Sequence, residues 1–149
     1  MPIRPATEAD VETLFGIRPD VRENNMTREE LTGVGVTPGN VAEMLRTDSR
    51  AWLADWEGQP AAFALADASR GTVSALFVRR GYEERGVGRA LLAEAAAWLF
   101  GRGWDEIWLT TGTDAPGANA FYRRVGWRFA GVAENGENRY TLARPIATG

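Results

Sequence analysis

The 149-residue chain contains no cysteine and no histidine, and its 17 basic residues include no lysine, so every one of them is arginine. Each absence removes a class of chemistry. Without cysteine there are no disulfides, thiol nucleophiles or thiolate metal ligands, and without histidine there is no imidazole base or zinc ligand. No metal site is expected. Without lysine, Schiff-base chemistry and a pyridoxal-phosphate anchor are also excluded. Long apolar runs are missing too. Nothing approaches the roughly 20 residues of a membrane helix, and the opening "MPIRPATEAD" lacks the apolar stretch of a signal peptide, so a cytoplasmic protein without membrane association is expected. A net charge of −3 offers no dominant basic face, which argues against a nucleic-acid partner while leaving room for a local anion site. Chemistry must come from Asp, Glu, Tyr, Ser, Thr, Arg or the backbone.

With 44% hydrophobic and 25% charged residues, and no internal repeat or linker-like stretch, residues 1–149 read as one globular domain. "MPIRPAT" predicts an edge strand, and Thr7 caps a helix in which Val11, Leu14 and Phe15 recur at helical spacing up to Pro19. Thr27 with Glu30 forms a capping box, and Thr37-Pro38 opens a further helix. "AWLADWE" and "AAFALAD" alternate as a hairpin across the turn "EGQP". "TVSALFV" is apolar on both faces, as expected of a central strand covered on each side. A helix with Val87, Leu91, Ala95, Trp98 and Leu99 on one stripe follows, then the strand "DEIWLTTG", a helix over residues 115–125, and two strands joined at Asn135-Gly136. The six tryptophans fall mostly on strand or stripe positions and read as core. The order predicts a mixed α/β sheet in which ligands gather at the carboxyl ends of the parallel strands.

At one such end lies "YEERGVGRALL". The first amides of a helix have no intrahelical partners and the peptide dipoles add partial positive charge. Glycine at 86 and 88 lets an anion reach that backbone, and Arg79, Arg80, Arg85 and Arg89 flank the loop. A phosphorylated ligand suits it. The spacing fits neither a G-x-G-x-x-G dinucleotide fingerprint nor a nucleoside-triphosphate loop, which needs Gly-Lys-Ser/Thr.

The element order, "FVRRGYEERGVGRALL" and "AFYRRVGWRFAG" together resemble the GNAT superfamily of acetyl-CoA-dependent N-acetyltransferases over nearly the whole chain. The resemblance implies a single-domain, mostly antiparallel sheet of about seven strands flanked by helices, with a central parallel pair splayed around the cofactor acetyl-CoA. The family's pyrophosphate segment, Gln/Arg-x-x-Gly-x-Gly/Ala, matches Glu83-x-x-Gly86-x-Gly88, which implies cofactor contacts from Arg85, Gly86, Val87, Gly88, Arg89 and Ala90. Glu83 departs from the pattern and is expected to point away from phosphate. Backbone groups of Phe77 and Val78 would pair with the pantetheine arm, with a strand amide near the thioester carbonyl. The second motif reads Ala115-x-x-Ala118-x-x-Phe121-Tyr122 before Gly126-Trp127, with Ala115 where the family carries Asn. Tyr122 matches the residue that returns a proton to the departing thiolate.

What the resemblance implies is direct attack of a primary amine, of a small molecule, amino acid or peptide, on the acetyl thioester. No covalent enzyme intermediate forms. An alkyl ammonium with a pKa near 10.4 must lose its proton first, so a base is wanted. The central strand offers only Thr72 and Ser74 where many family members carry Glu. Glu23, Asp67, Glu137 or a water chain are the alternatives, with Glu23 favoured. Glu23, Asn24 and Asn25 are the acceptor-site candidates. Homodimers are frequent in the family, and an acyl-CoA-binding or sensing domain without catalysis is the alternative function.

Overall fold

A computed structural model describes residues 2–146. One seven-stranded sheet carries the fold, in the order β1-β2-β3-β4-β5-β7-β6. Its strands are β1 Ile3–Ala6, β2 Ser49–Trp56, β3 Gln59–Asp67, β4 Thr72–Val78, β5 Glu106–Thr111, β6 Arg128–Val132 and β7 Asn138–Ala143. Helices α1 Val11–Ile17, α2 Arg28–Gly33 and α3 Pro38–Arg46 precede β2; α4 Val87–Gly101 links β4 to β5, and α5 Pro116–Arg124 links β5 to β6. All neighbouring strands are antiparallel except β4 and β5. This is the mixed sheet expected from the element order, mostly antiparallel as the family resemblance implies.

The helix starts follow their sequence signals. Thr27 accepts from the Glu30 amide while Glu30 returns a bond to the Thr27 amide, and the Thr37 hydroxyl accepts from the Asn40 amide. At the first helix Thr7 and Asp10 form a capping box around a single 3-10 turn, Glu8–Asp10, before α1 proper begins. Glu57 and Gly58 both take positive φ, the two-residue turn that suits hairpin twist.

Strand alternation sorts the core into two layers. Ala51, Leu53, Phe63 and Leu65 face α1 to α3, whereas Trp52, Ala54, Ala62, Ala64 and Ala66 face α4 together with Leu91, Ala95 and Leu99. Each large apolar side chain sealed there contributes roughly 1.5–3 kcal/mol. Alanines on β2 and β3 leave room for α4 to approach closely. Of the six tryptophans only Trp52 and Trp127 are buried. Trp104 and Trp108 are half-buried, and their indole N–H groups donate to the carbonyls of Ala68 and Arg70 at 2.7 and 2.9 Å.

β4 departs from the expectation of a strand covered along its length. Thr72 and Val73 are buried, Ser74 is exposed, and residues 75–78 are half-buried. The cause lies in the pairing. β4 meets β5 only at Thr72↔Trp108, where the Thr72 hydroxyl donates to the Trp108 carbonyl at 2.7 Å, while β5 and β7 pair over six positions. Opposite β3, Leu65 pairs Ala75 and Ala66 pairs Val73, so Ser74 is an extra residue in β4. A bulge sharpens the local twist, and here it turns β4 away from β5. The parallel pair therefore splays open toward its carboxyl end.

Candidate functional site

At that open end the chain leaves β4 and enters the glycine loop. Gly86 has φ 80°, a left-handed conformation that disfavours side chains, and it stands at the head of α4 without any side-chain cap. A Cβ built on Gly86 would meet nothing within 4 Å. The first amides of this 15-residue helix thus have no side-chain cap, and the space beside Gly86 is open. Gly88 serves close approach: a Cβ there would lie 3.4 Å from Val78 Cγ2 and 3.8 Å from Phe121 Cζ. The start of α4, the end of β4 and α5 converge on this point.

The arginines around the loop divide into two groups. Arg79 is turned inward, donating to the carbonyls of Pro60 at 3.0 Å and Gly16 at 3.3 Å, so the expectation that it flanks the loop is corrected. Its buried Nε lies 3.2 Å from Asp20 Oδ2 but is not aligned for a hydrogen bond. Arg80, Arg85 and Arg89 are exposed and form no ion pair among the described residues. Arg85 lies over Trp56 and Tyr82, its Cζ 5.1 and 5.6 Å from their ring centroids. Glu83 points away from the helix start, accepting from the Gly81 amide at 2.7 Å and from Arg22. Burial pushes its carboxyl up, but bonds from its own amide, Gly81 and Arg22 outweigh that and hold it below the usual range.

Phe77 and Val78 end β4 on opposite faces, Phe77 with the α1 side and Val78 with the α4 side. The Arg18 guanidinium sits 3.9 Å above the Phe77 ring, and burial pulls its pKa down. Arg18 also donates to the Asn24 carbonyl at 2.5 Å. With the Met26 amide bonded back to the Arg18 carbonyl at 3.2 Å, residues 18–26 form a closed strap. Asn24 takes φ 58° within it, and Asn25 donates to the Val21 carbonyl at 3.4 Å.

The strap spans the mouth of the splay. Arg22 ties it to Glu83 of the glycine loop, and the Arg80 amide donates to the Asp20 carbonyl at 2.9 Å. On the other side both oxygens of Glu23 accept backbone amides at the start of α5, Gly117 N–H and Ala118 N–H, each at 2.9 Å. Asp67 is removed as a base candidate by position: it pairs with Thr72 at the closed end of β4 and accepts from the Ser69 amide and hydroxyl. Glu137 accepts from the Thr110 hydroxyl at 3.0 Å and the Asn135 amide group at 2.8 Å.

Tyr122 projects from α5 into an aromatic cluster, with ring centroids 5.3 Å from Phe121, 6.2 Å from Trp127 and 5.8 Å from Tyr140. It is buried at 8% exposure, and burial raises its phenol pKa well above the ordinary value. Among the described residues its hydroxyl has no hydrogen-bond partner, yet it is not among the fully enclosed atoms. The cluster is fixed from behind by Asn119. This side chain donates to the carbonyls of Gly112 and Ala115 and accepts from Asn138 and the Tyr140 hydroxyl, at 2.7–2.9 Å throughout. Asn119 stands four residues on from Ala115, out of register with the family's Asn, and nothing in the sequence around it signals this hub.

A family model described as the acetyltransferase (GNAT) family matches residues 19–127. The chain belongs to the GNAT acetyltransferase family. Acyl transfer from acetyl-CoA is that family's chemistry. A streptothricin acetyltransferase of Streptomyces lavendulae is 33% identical over 118 residues, 70% of this chain, and the chain spans 62% of that relative's length. Among solved structures, the PaiA N-acetyltransferase of Thermoplasma acidophilum in complex with coenzyme A superposes with a TM-score of 0.77 at 14% identity, covering 97% of this chain and 100% of that one. The ribosomal-protein-S18-alanine N-acetyltransferase of Escherichia coli gives 0.71 at 20% identity over 99% and 95%. At these identities the structures speak to the fold.

The GNAT cofactor fits the residues present. Acetyl-CoA carries a pyrophosphate, and the uncapped start of α4, open at Gly86 and beside arginines that form no ion pair among the described residues, suits such an anion. The edge of β4 released by the splay offers backbone groups for an extended arm. No helix of the described residues is long and apolar enough to cross a membrane.

Proposed function

We propose that the protein transfers the acetyl group of acetyl-CoA directly to a primary amine of a small molecule, amino acid or peptide. The observation that carries this reading is the glycine-led start of α4, left open at the point where β4 splays from β5. Backbone amides over residues 85–90 hold the pyrophosphate, and the freed edge at Phe77 and Val78 aligns the pantetheine arm. Bound acetyl-CoA supplies an acyl thioester for attack by a neutral amine. The protein's own part is placement and proton handling. Tyr122 keeps its proton at neutral pH as any phenol near pKa 10 does, and burial makes it a weaker acid still, so its hydroxyl, without a partner among the described residues, serves by donating a hydrogen bond to the departing thiolate and yields its proton only as charge builds there. Arg22, Glu23, Asn24 and Asn25 in the strap line the acceptor side.

One observation favours a second reading, an acyl-CoA-binding or sensing domain without catalysis. β4 carries no carboxylate, and both oxygens of Glu23 are occupied by backbone amides. The two readings part on turnover. Calorimetric titration with acetyl-CoA, beside a Gly86→Trp variant, tests the cradle they share: micromolar binding lost in the variant is expected, and equal binding by both proteins would discard it. Thiol release that requires an added amine marks the enzyme. Tight binding without amine-dependent release marks the sensor.

A further inference from the structure

Ala115 is the N-cap residue of α5, and its methyl group gives the helix no acceptor. A capping side chain bonds the amides of the second or third helical residue, here Gly117 and Ala118. Those are the two amides that Glu23 takes, one with each oxygen, from 94 and 95 residues away. The fit also needs a glycine. A Cβ on residue 117 would lie 3.1 Å from Glu23 Oε2 and 3.3 Å from Oε1, tighter than ordinary contact. Ala115, Gly117 and Glu23 therefore read as one compensated set, with the cap missing in α5 supplied by the strap. The negative carboxylate also sits where the helix dipole favours it.

We propose that Glu23 is a positioning residue. It caps α5 in trans, ties the strap of residues 18–26 to the helix that bears Tyr122, and does not accept the substrate proton. With Arg22 bound to Glu83, neighbouring residues of the strap hold the glycine loop and α5 at a fixed separation across the splay. The activity arm of the test rests on the proposed acetyl transfer; the stability arm does not.

The test compares Glu23→Ala, Glu23→Gln, Glu23→Ala with Ala115→Ser, and Gly117→Ala in both the wild-type and Glu23→Ala backgrounds. Loss of the cap lowers the melting temperature of Glu23→Ala by roughly 3 °C. Ala115→Ser, which restores an acceptor locally, returns most of it. Should a hydroxyl not fit at the buried position 115, the glycine pair reads the contact alone: Gly117→Ala raises the melting temperature more, or lowers it less, without Glu23 than with it, because its Cβ then meets no carboxylate and alanine favours helix. In turnover, Glu23→Ala loses roughly tenfold in kcat through misplacement. Ala115→Ser recovers it to within about threefold, with the acid limb of the kcat/KM profile unmoved, whereas Glu23→Gln, whose amide nitrogen sets a donor against one of the two backbone N–H groups, keeps only part of the cap and of kcat. Recovery of melting temperature without recovery of kcat in Glu23→Ala with Ala115→Ser, together with a shifted acid limb of the kcat/KM profile, would place Glu23 in proton transfer and overturn the proposal. So would an unchanged melting temperature in Glu23→Ala with additive Gly117→Ala. A wild-type protein that neither binds nor turns over acetyl-CoA would defeat the proposed function, while the melting temperatures still decide the cap.

Discussion

α4 and α5 begin at the same end of the sheet, each following one strand of the splayed pair, and neither has a capping side chain of its own. Their first turns are completed in different ways. At α5 a carboxylate arrives from the strap and takes two amides, and position 117 has no space for a Cβ without displacing it. At α4 nothing arrives. Gly86 faces open space; of the two carboxylates in its loop, Glu83 is held aside by Arg22 and the Gly81 amide, and the exposed Glu84 makes no hydrogen bond to the helix start among the described residues. The difference separates a helix start that is completed by structure from the one proposed as the cofactor site. Residual donors and dipole are present in both, and only at α4 are they left for a ligand.

The largest effect expected from breaking this contrast is at Gly88. In Gly88→Leu the side chain enters the point where Val78 and Phe121 converge and blocks access to the amides behind it. Losing two or more charge-assisted bonds weakens acetyl-CoA binding on the order of 10³-fold, measured by calorimetry, with the circular dichroism spectrum unchanged. Retained affinity would mean that the open start of α4 is not the anion site.

Tyr122→Phe probes the α5 side and should be next in size. We expect kcat to fall about 10²-fold with acetyl-CoA affinity unchanged. Equal turnover by the variant would assign the proton to another donor. The same residue sets a pH limit on stability. Its folded-state pKa is raised above that of the unfolded chain, so the stability it contributes is present below about pH 10 and is lost as pH climbs beyond, where the unfolded chain ionises first. Tyr122→Phe should flatten the alkaline fall in melting temperature.

How far each start could be read from the sequence follows from where its partners lie along the chain. Gly86 and Gly88 announced an open helix start because the features that make it open are consecutive residues. The capping box at Thr27 and the hydroxyl cap with following proline at Thr37 were legible for the same reason. The sheet, its single parallel pair and the splay followed from element order and family resemblance, but the bulge at Ser74 that accounts for the splay had no signal in an evenly apolar strand. Glu23 was picked out as a free base, and nothing near it in sequence pointed to amides 94 residues on. Ala115 was the available clue, since a helix opening Ala-Pro must find its acceptor elsewhere. Asn119 was equally silent, because two of its four bonds reach Asn138 and Tyr140 of β7, which only the folded sheet brings beside α5.

The smallest effect sharpens the comparison from a third helix start, where the cap is local and far from any ligand. Asp10 closes the capping box with Thr7, accepting its amide at 2.8 Å, and receives both terminal nitrogens of Arg4 at 3.0 Å. The Arg4 hydrogen bonds lead the causes that bring its carboxyl down to about 2, against a partial upward push from burial. A depressed pKa contributes stability that is present above about pH 4, the unfolded value, and is lost as pH falls from there through 2. Arg4 is 49% exposed, so solvent screening reduces the effect to about 1 kcal/mol. Asp10→Asn should remove that share at pH 7, flatten the acid limb of a urea-unfolding series between about pH 4 and 2, and leave acetyl-CoA affinity where it was. A change in affinity would mean that a cap remote from the splay communicates with the cradle, and that finished and open helix starts are not independent in this fold.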